Sequence, residues 1–226
     1  MTLLSACVEA AIELNQTEPT AIFASTDKLS KELRVQANKS ATAIMKAYDW
    51  QALTKRATIT GNSALKAFSL PSDYDRMVSK TNLASSASNI DLVKATDLDQ
   101  WDYFQNHLST TVPGYWMILG GQLQVMPAPG TGVVHSYYYV SKNCVTGDKP
   151  AFTADSDTFV LPERLLTLSL IWRWRASKRM EYAEDLTNYE IALAEETSKD
   201  KGSRVLVVGR QRVPYNVKTA YPGPLG

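Results

Sequence analysis

The chain of 226 residues reads as an α+β protein: a helical bundle formed from both ends of its body, with a β-rich insertion between them. Three observations predict this. Apolar residues recur every three or four positions over 2–50 and again from Pro162 to Ser198, the period of helices that bury one stripe. Between these stretches lie short runs rich in β-branched and aromatic residues, cut by Gly, Pro and Asp, as strands and turns are. From Arg210 to Gly226 there are three prolines and no helical period, so the end of the chain reads as an extended arm. The expected organisation is one domain. Residues 1–50 and 158–200 form the bundle (N-terminal helices plus one long C-terminal helix), 51–157 the β-rich insertion, and 201–226 the arm.

Leu4, Cys7, Val8, Ala11 and Ile12 define the first helix. Pro19 ends it, because proline lacks a donor and restricts the residue before it. Ser25 or Thr26 is the expected cap of the next helix, with Asp27 in its first turn. Leu29, Leu33, Ala37, Ala41, Ile44 and Tyr48 give that helix its stripe, and it is expected to end near Asp49 and Trp50. In the insertion, RATITG and AFSLP read as strands. Thr96 and Asp99 have the spacing of a capping box and predict a short helix through LDQWDYFQNHL. In YWMILGGQLQVMPAP, two β-prone runs flank Gly120 and Gly121, whose tolerance of positive φ predicts a tight hairpin. The next strand, GVVHSYYYV, places Val134, Ser136, Tyr138 and Val140 on one face. Val133, His135, Tyr137 and Tyr139 lie on the other, and both faces are expected to meet protein. Asp157 or Thr158 precedes the long helix, Pro162 fits its first turn, and Gly202 its stop. RVLVVG, at 204–209, reads as a further strand.

Hydrophobic residues are 44% of the chain and charged residues 21%, which is ordinary globular composition. The net charge of +1 does not indicate a wholesale nucleic-acid binder. The charge is uneven, however: Lys201 to Gly226 holds five basic residues and no acid, leaving 19 basic against 23 acidic residues in the first 200. A basic tail on a mildly acidic body reads as an interaction arm. Cys7 and Cys144 lie far apart and support no disulfide scaffold, so a reducing compartment is expected. MTLLSACVEAAIELNQ has no basic leader region, and no apolar run has the length of a membrane span.

The segment IWRWRASKRMEYAEDLTNYEIALA is the most distinctive. Leu165, Leu168, Trp172, Ala176, Ala183, Leu186 and Leu193 form one stripe that assigns Trp172 to the core. Trp174, about 160° away around the helix, is expected to point outward among Arg173, Arg175, Lys178 and Arg179. Arg175 and Arg179 are like charges at i and i+4, as are Glu181 and Asp185, so basic and acidic halves are segregated. Such a helix suits a neighbouring copy shifted along it. The interface candidates are therefore Arg173, Trp174, Arg175, Lys178, Arg179, Glu181, Glu184 and Asp185.

No catalytic constellation accompanies these features. His107 and His135 are the only histidines, and neither has metal-ligand spacing around it. Nothing near Cys144 marks it as a nucleophile. Gly120 and Gly121 lack the strand-to-helix context of a phosphate loop. Asp97, Asp99 and Asp102 read as a solvated first turn. The chain is expected to be no enzyme and to carry no cofactor and no metal.

The order of segments carries a resemblance. A capped helix ending in Tyr-x-Trp and a strand (STDKLSKELRVQANKSATAIMKAYDWQALTKRATI) precede FSLPSDYDRM, the Gly-Gly hairpin, YYYV and the DTFVLPERLL helix. Over about 25–200 this succession resembles the head-to-tail adaptor (connector) proteins of tailed bacteriophages, especially the tail accessory factors of short-tailed phages. The resemblance implies a homo-oligomeric ring, typically of twelve copies, under the portal in the virion neck, assembled in the host cytoplasm. Such a ring extends the DNA channel without sequence-specific binding and docks the next tail or nozzle protein. It implies that Pro162 to Ser198 carries the ring and that a C-terminal arm reaches the portal. The arm candidates are Arg204, Arg210, Arg212, Val213, Pro214, Tyr215, Lys218 and Tyr221. The alternative is a nucleic-acid-binding module in which Trp174 stacks on bases beside the basic cluster.

Overall fold

The computed structural model describes residues 2–79, 81–107 and 114–201. Its elements run α1 (Leu3–Glu13), α2 (Lys28–Ala47), a 3₁₀ turn (Gln51–Leu53), β1 (Thr54–Thr60), β2 (Ala67–Ser69), β3 (Tyr74–Met77), β4 (Ala84–Ser85), β5 (Val93–Lys94), α3 (Leu98–His107), β6 (Tyr115–Leu119), β7 (Gln122–Met126), β8 (Val134–Ser141), α4 (Glu163–Ser177) and α5 (Ala183–Lys201). The architecture is mixed α+β. Two compact units divide it, one made of 2–54 with 140–201 and the other of 55–139.

In the helical unit, α1, α2 and α5 each pack on α4. Thr2 caps α1, its hydroxyl accepting from the Ser5 amide, and the buried face is Leu3, Ala6, Cys7, Ala10 and Ala11. Ile12, expected on that face, is exposed. The cap of α2 is Asp27 and not Ser25 or Thr26: its carboxylate accepts from the Leu29 and Ser30 amides, while Ser25 accepts from Asp27. A carboxylate at this position satisfies two orphan amides and meets the positive end of the helix dipole, which a lone hydroxyl does less well. The helix closes at Ala47, and Trp50 turns back to donate to the Ile44 carbonyl at 2.8 Å.

The single long helix expected from Pro162 to Ser198 is two helices. Arg179 takes a left-handed φ of 58°. The Met180 amide reaches back to the Arg175 carbonyl and the Arg179 amide to Ala176, the paired bonds of a Schellman stop. The chain then reverses. Arg164, near the start of α4, meets Glu195 near the end of α5, and Arg175, near the end of α4, meets Asp185 near the start of α5. The two helices are therefore antiparallel.

The β-rich unit holds two four-stranded sheets, one in the order β1-β8-β3 with β4 also on β8, the other β2-β7-β6-β5. Gly120 and Gly121, at φ 60° and 73°, form the tight turn that joins β6 to β7, with Leu119 opposite Gln122. Such a turn needs positive φ at both central residues. Alternate hairpin residues go to different cores. Trp116, Leu123 and Val125 join Ile59, Leu83, Tyr137 and Tyr139, while Met117 and Met126 join Trp101 and Phe104 of α3. The cap of α3 is also displaced by one residue from expectation. Asp97, and not Thr96, accepts from the Gln100 amide, and the Gln100 side chain accepts from Thr96. On β8, Tyr138 is exposed, so that face meets protein only in part.

Candidate subunit interface

The helical unit is organised by α4. Leu165, Leu166, Thr167, Ser169, Leu170, Ile171 and Trp174 are all buried, and they spread around the helix without forming one stripe. A helix apolar on most sides is a central helix, enclosed by its neighbours. This overturns the expected division of the tryptophans. Trp174 is buried, with its Nε1 donating to Glu32 of α2 at 3.2 Å. Trp172 is half-buried and packs against Tyr182 and Tyr189, its ring centroid 6.4 and 6.2 Å from theirs. Both indoles serve the fold, and Trp174 has no free face on which a base could stack.

The basic cluster is likewise largely engaged within the chain. Arg175 donates to Asp185 at 2.7 Å, a half-buried pair, and reaches the Glu13 carbonyl at 3.5 Å. Lys178 meets Glu32 at 2.7 Å and lies 5.3 Å from the centre of the Trp174 ring. Arg173 covers the Trp172 ring at 4.6 Å and donates to Ser169 Oγ at 3.2 Å. Ser169 in turn bonds Ser40 of α2 at 2.9 Å inside the core. One pair from the segregated halves, Arg175 and Asp185, thus meets within the chain by the reversal at Arg179. Arg179, Met180, Glu181, Tyr182 and Glu184 remain exposed around the turn. Met180 and Trp174, with Leu14 and Gln16, line a cleft beside the end of α1.

Sequence reasoning missed a pair of carboxylates that tie the irregular segment before α4 to the helices. Asp155 accepts from the Ile22 and Phe23 amides at 3.1 and 2.9 Å. Asp157, expected only to precede a helix, accepts from the Thr153 and Ala154 amides at 2.6 and 2.9 Å and from Lys149 at 2.7 Å. Its own carbonyl receives the Leu3 amide at 2.7 Å. Burial alone would raise the Asp157 carboxyl, but Lys149 and the two amides outweigh it and hold it at about 2. The signal was present in TADSD, where closely spaced Asp, Ser and Thr favour side chain–backbone turns.

Burial pushes the Cys7 thiol up to about 12 and the Cys144 thiol up to about 11, so both stay protonated at neutral pH. Among the described residues no group of three His, Cys, Asp or Glu could hold a metal ion. None of their helices is long and apolar enough to cross a membrane. The arm candidates Arg204, Arg210, Arg212, Val213, Pro214, Tyr215, Lys218 and Tyr221, with Gly202 and the 204–209 strand, lie outside the described residues, as does the side chain of His107.

A family profile described as SU10 adaptor protein matches residues 1–214. The family is structural and comprises phage head-to-tail adaptors; it is not a family of enzymes. No curated protein matches the chain.

Proposed function

Since the chain belongs to the SU10 adaptor protein family, we propose that it assembles as a ring of like copies, twelve in number, between the portal and the tail of a phage. In this reading the ring prolongs the DNA channel and offers a docking surface to the tail or nozzle protein below. The helical unit carries the ring, and the segment 201–226 reaches onto the portal through its basic and aromatic residues. Assembly takes place in the host cytoplasm.

The observation that carries the reading is the extent of the match, residues 1–214, which takes in both compact units. Physical features support it. Arg173, Arg175, Lys178 and Asp185 are engaged within the fold, and the buried thiols are unsuited to nucleophilic chemistry. The net charge of +1 suits a channel that DNA slides through. A basic, proline-bearing tail suits attachment by many weak contacts that a ring multiplies through avidity.

The test is native mass spectrometry of the full chain, alone and mixed with its portal protein. A species of about a dozen copies, free or added to the portal, is expected. A chain that stays monomeric in both conditions would refute the reading. Deleting 213–226 should weaken portal attachment with the fold unchanged, and undiminished attachment would remove the arm from the account.

A further inference from the structure

The outward face of α2 is a stripe of unmixed positive charge. Lys28, Lys31, Val35, Lys39, Thr42 and Lys46 follow one another at spacings of three and four and are all exposed. No ion pair among the described residues engages any of the four lysines. Of the neighbouring acids, Glu32 is turned aside to Lys178 and Trp174, and the Asp27 carboxylate caps the Leu29 and Ser30 amides at the helix start. The outward face of α5 is its counterpart. Glu184, Asn188, Ile191, Glu195 and Ser198 form the exposed stripe, with Glu190 on its flank and Lys199, paired with Glu196, at its far end. Each stripe has one bare β-branched residue near its middle: Val35 is 48% exposed and Ile191 53%.

The two faces also match in length and direction. α2 has 20 residues and α5 has 19, about 30 and 28 Å at the usual rise. Glu32, early in α2, meets the end of α4, and Ser40 meets Ser169, so α2 is antiparallel to α4. α5 is antiparallel to α4 as well, so α2 and α5 run parallel; Gln51, just past α2, is bonded to Asp200 near the end of α5. At about 100° per residue, the α4 residues that meet α2 (Ser169, Trp174) and those that meet α5 (Arg164, Trp172, Arg175) average to nearly opposite sides of the helix, although Ser169 and Trp172 are themselves surface neighbours. The lysine stripe and the glutamate stripe therefore point away from each other on separate flanks.

We infer that the lysine face of α2 on one copy docks on the acidic face of α5 on the next, forming the head-to-tail contact of the ring. The inference rests on the reading of the chain as a ring-forming adaptor. Two different faces on opposite flanks form a heterologous interface, which repeats around a ring and does not stop at a dimer. Copies related by a small rotation keep the two helices parallel. In that register, with Val35 against Ile191, Lys28 falls beside Glu184, each seven residues before the apolar contact. Lys39 falls beside Glu195, each four residues after it. Glu195 already meets Arg164 at 3.2 Å, an exposed pair that leaves its carboxylate open to a second cation.

The test is charge reversal in the full chain, with assembly read by sedimentation velocity alone and with the portal. Lys28→Glu with Lys39→Glu, or Glu184→Lys with Glu195→Lys, should each weaken self-association at least about tenfold, since like charges then face each other. Combining all four in one chain should restore assembly to within about threefold of the parent. Parent-like assembly by both reversed pairs overturns the interface while leaving the ring reading intact. A parent chain that never assembles overturns the ring reading and this inference with it. Loss of salt-dependent DNA binding with assembly unchanged assigns the lysine face to nucleic acid and overturns the inference as well. Should a reversed chain fail to fold, Val35→Cys with Ile191→Cys in the otherwise unaltered chain decides. The native thiols are buried, so oxidation of assembled particles should give a ladder of cross-linked copies, and the absence of that ladder overturns the contact.

Discussion

Replacing Asp157 with Asn should loosen the helical unit by an amount readable from the site. The carboxylate accepts four hydrogen bonds, from two amides, the Thr153 hydroxyl and Lys149. Asparagine keeps one accepting oxygen and turns a donating amide towards groups that are themselves donors. The carboxyl lies at about 2, against 3.8 for the unperturbed group. At about 1.4 kcal/mol per pKa unit, the ionised form contributes roughly 2 kcal/mol. The group is only 7% exposed, so solvent screens little of this. Because the folded pKa is depressed, the contribution is fully present above about 4 and is lost as pH falls through about 2.

The assay is thermal unfolding of parent and Asp157→Asn chains, followed by circular dichroism of the helices at several pH values. Near neutral pH the variant should melt about 4–8 °C lower, taking about 2–4 °C per kcal/mol for a chain of this size. The gap should narrow steadily below about pH 4. A variant within about 1 °C of the parent at neutral pH, or a gap that ignores pH, would refute the assignment of Asp157 as the ionised anchor of this loop.

Three further outcomes follow from the geometry of α4. Trp174→Ala removes a buried indole and its bond to Glu32, and should cost about 3–5 kcal/mol in denaturant unfolding; a surface tryptophan would cost under about 0.5. Arg179→Gly should stabilise by about 0.5–1 kcal/mol, because glycine takes the left-handed φ at the helix stop without strain; net destabilisation would mean that the Arg179 side chain holds the turn. A double-mutant cycle on Arg175 and Asp185, each changed to Ala, should show a coupling of about 1 kcal/mol, and additive effects would mean that the pair does not hold α4 to α5.

Local chemistry made part of this legible. The Gly-Gly hairpin follows from two adjacent residues that permit positive φ, and the α2 stripe of Leu33, Ala37, Ala41 and Ile44 follows from periodicity alone. The family resemblance, carried by the order of segments, agrees with the profile match. What escaped needed tertiary context. Three neighbouring residues, Ser25, Thr26 and Asp27, could each cap α2, and the choice depends on where the backbone leaves the helix. The break after α4 carries no glycine or proline, since an arginine takes the left-handed position. A phase argument could have found it: continuing from Leu170 and Trp174 at helical spacing leads to Lys178 and Glu181, so the buried face runs out where α4 ends. Trp174 was misassigned because one stripe was assumed for a helix that is enclosed on several sides.

The reversal at Arg179 decides which charges leave the fold. Laid out as one helix, the basic run 173–179 and the acidic run 181–185 would lie end to end, and only a second copy could bring them together. Folded back, Arg175 meets Asp185 and Lys178 meets Glu32 in the same chain, so the most conspicuous charge segregation in the sequence is partly neutralised internally. The unmixed charge left on the surface of the helical unit is of another kind. Lys28 and Lys31 are like charges one turn apart, with Lys39 and Lys46 along the same face, and a helix selected only for its own stability would interleave acids there. Elsewhere the unit does interleave them, as Lys199 with Glu196 shows at 2.6 Å. A stripe that keeps its repulsion within the subunit gains only when an acidic surface covers it, and the outer face of α5 supplies Glu184 and Glu195 in the same direction and at the spacing of Lys28 and Lys39.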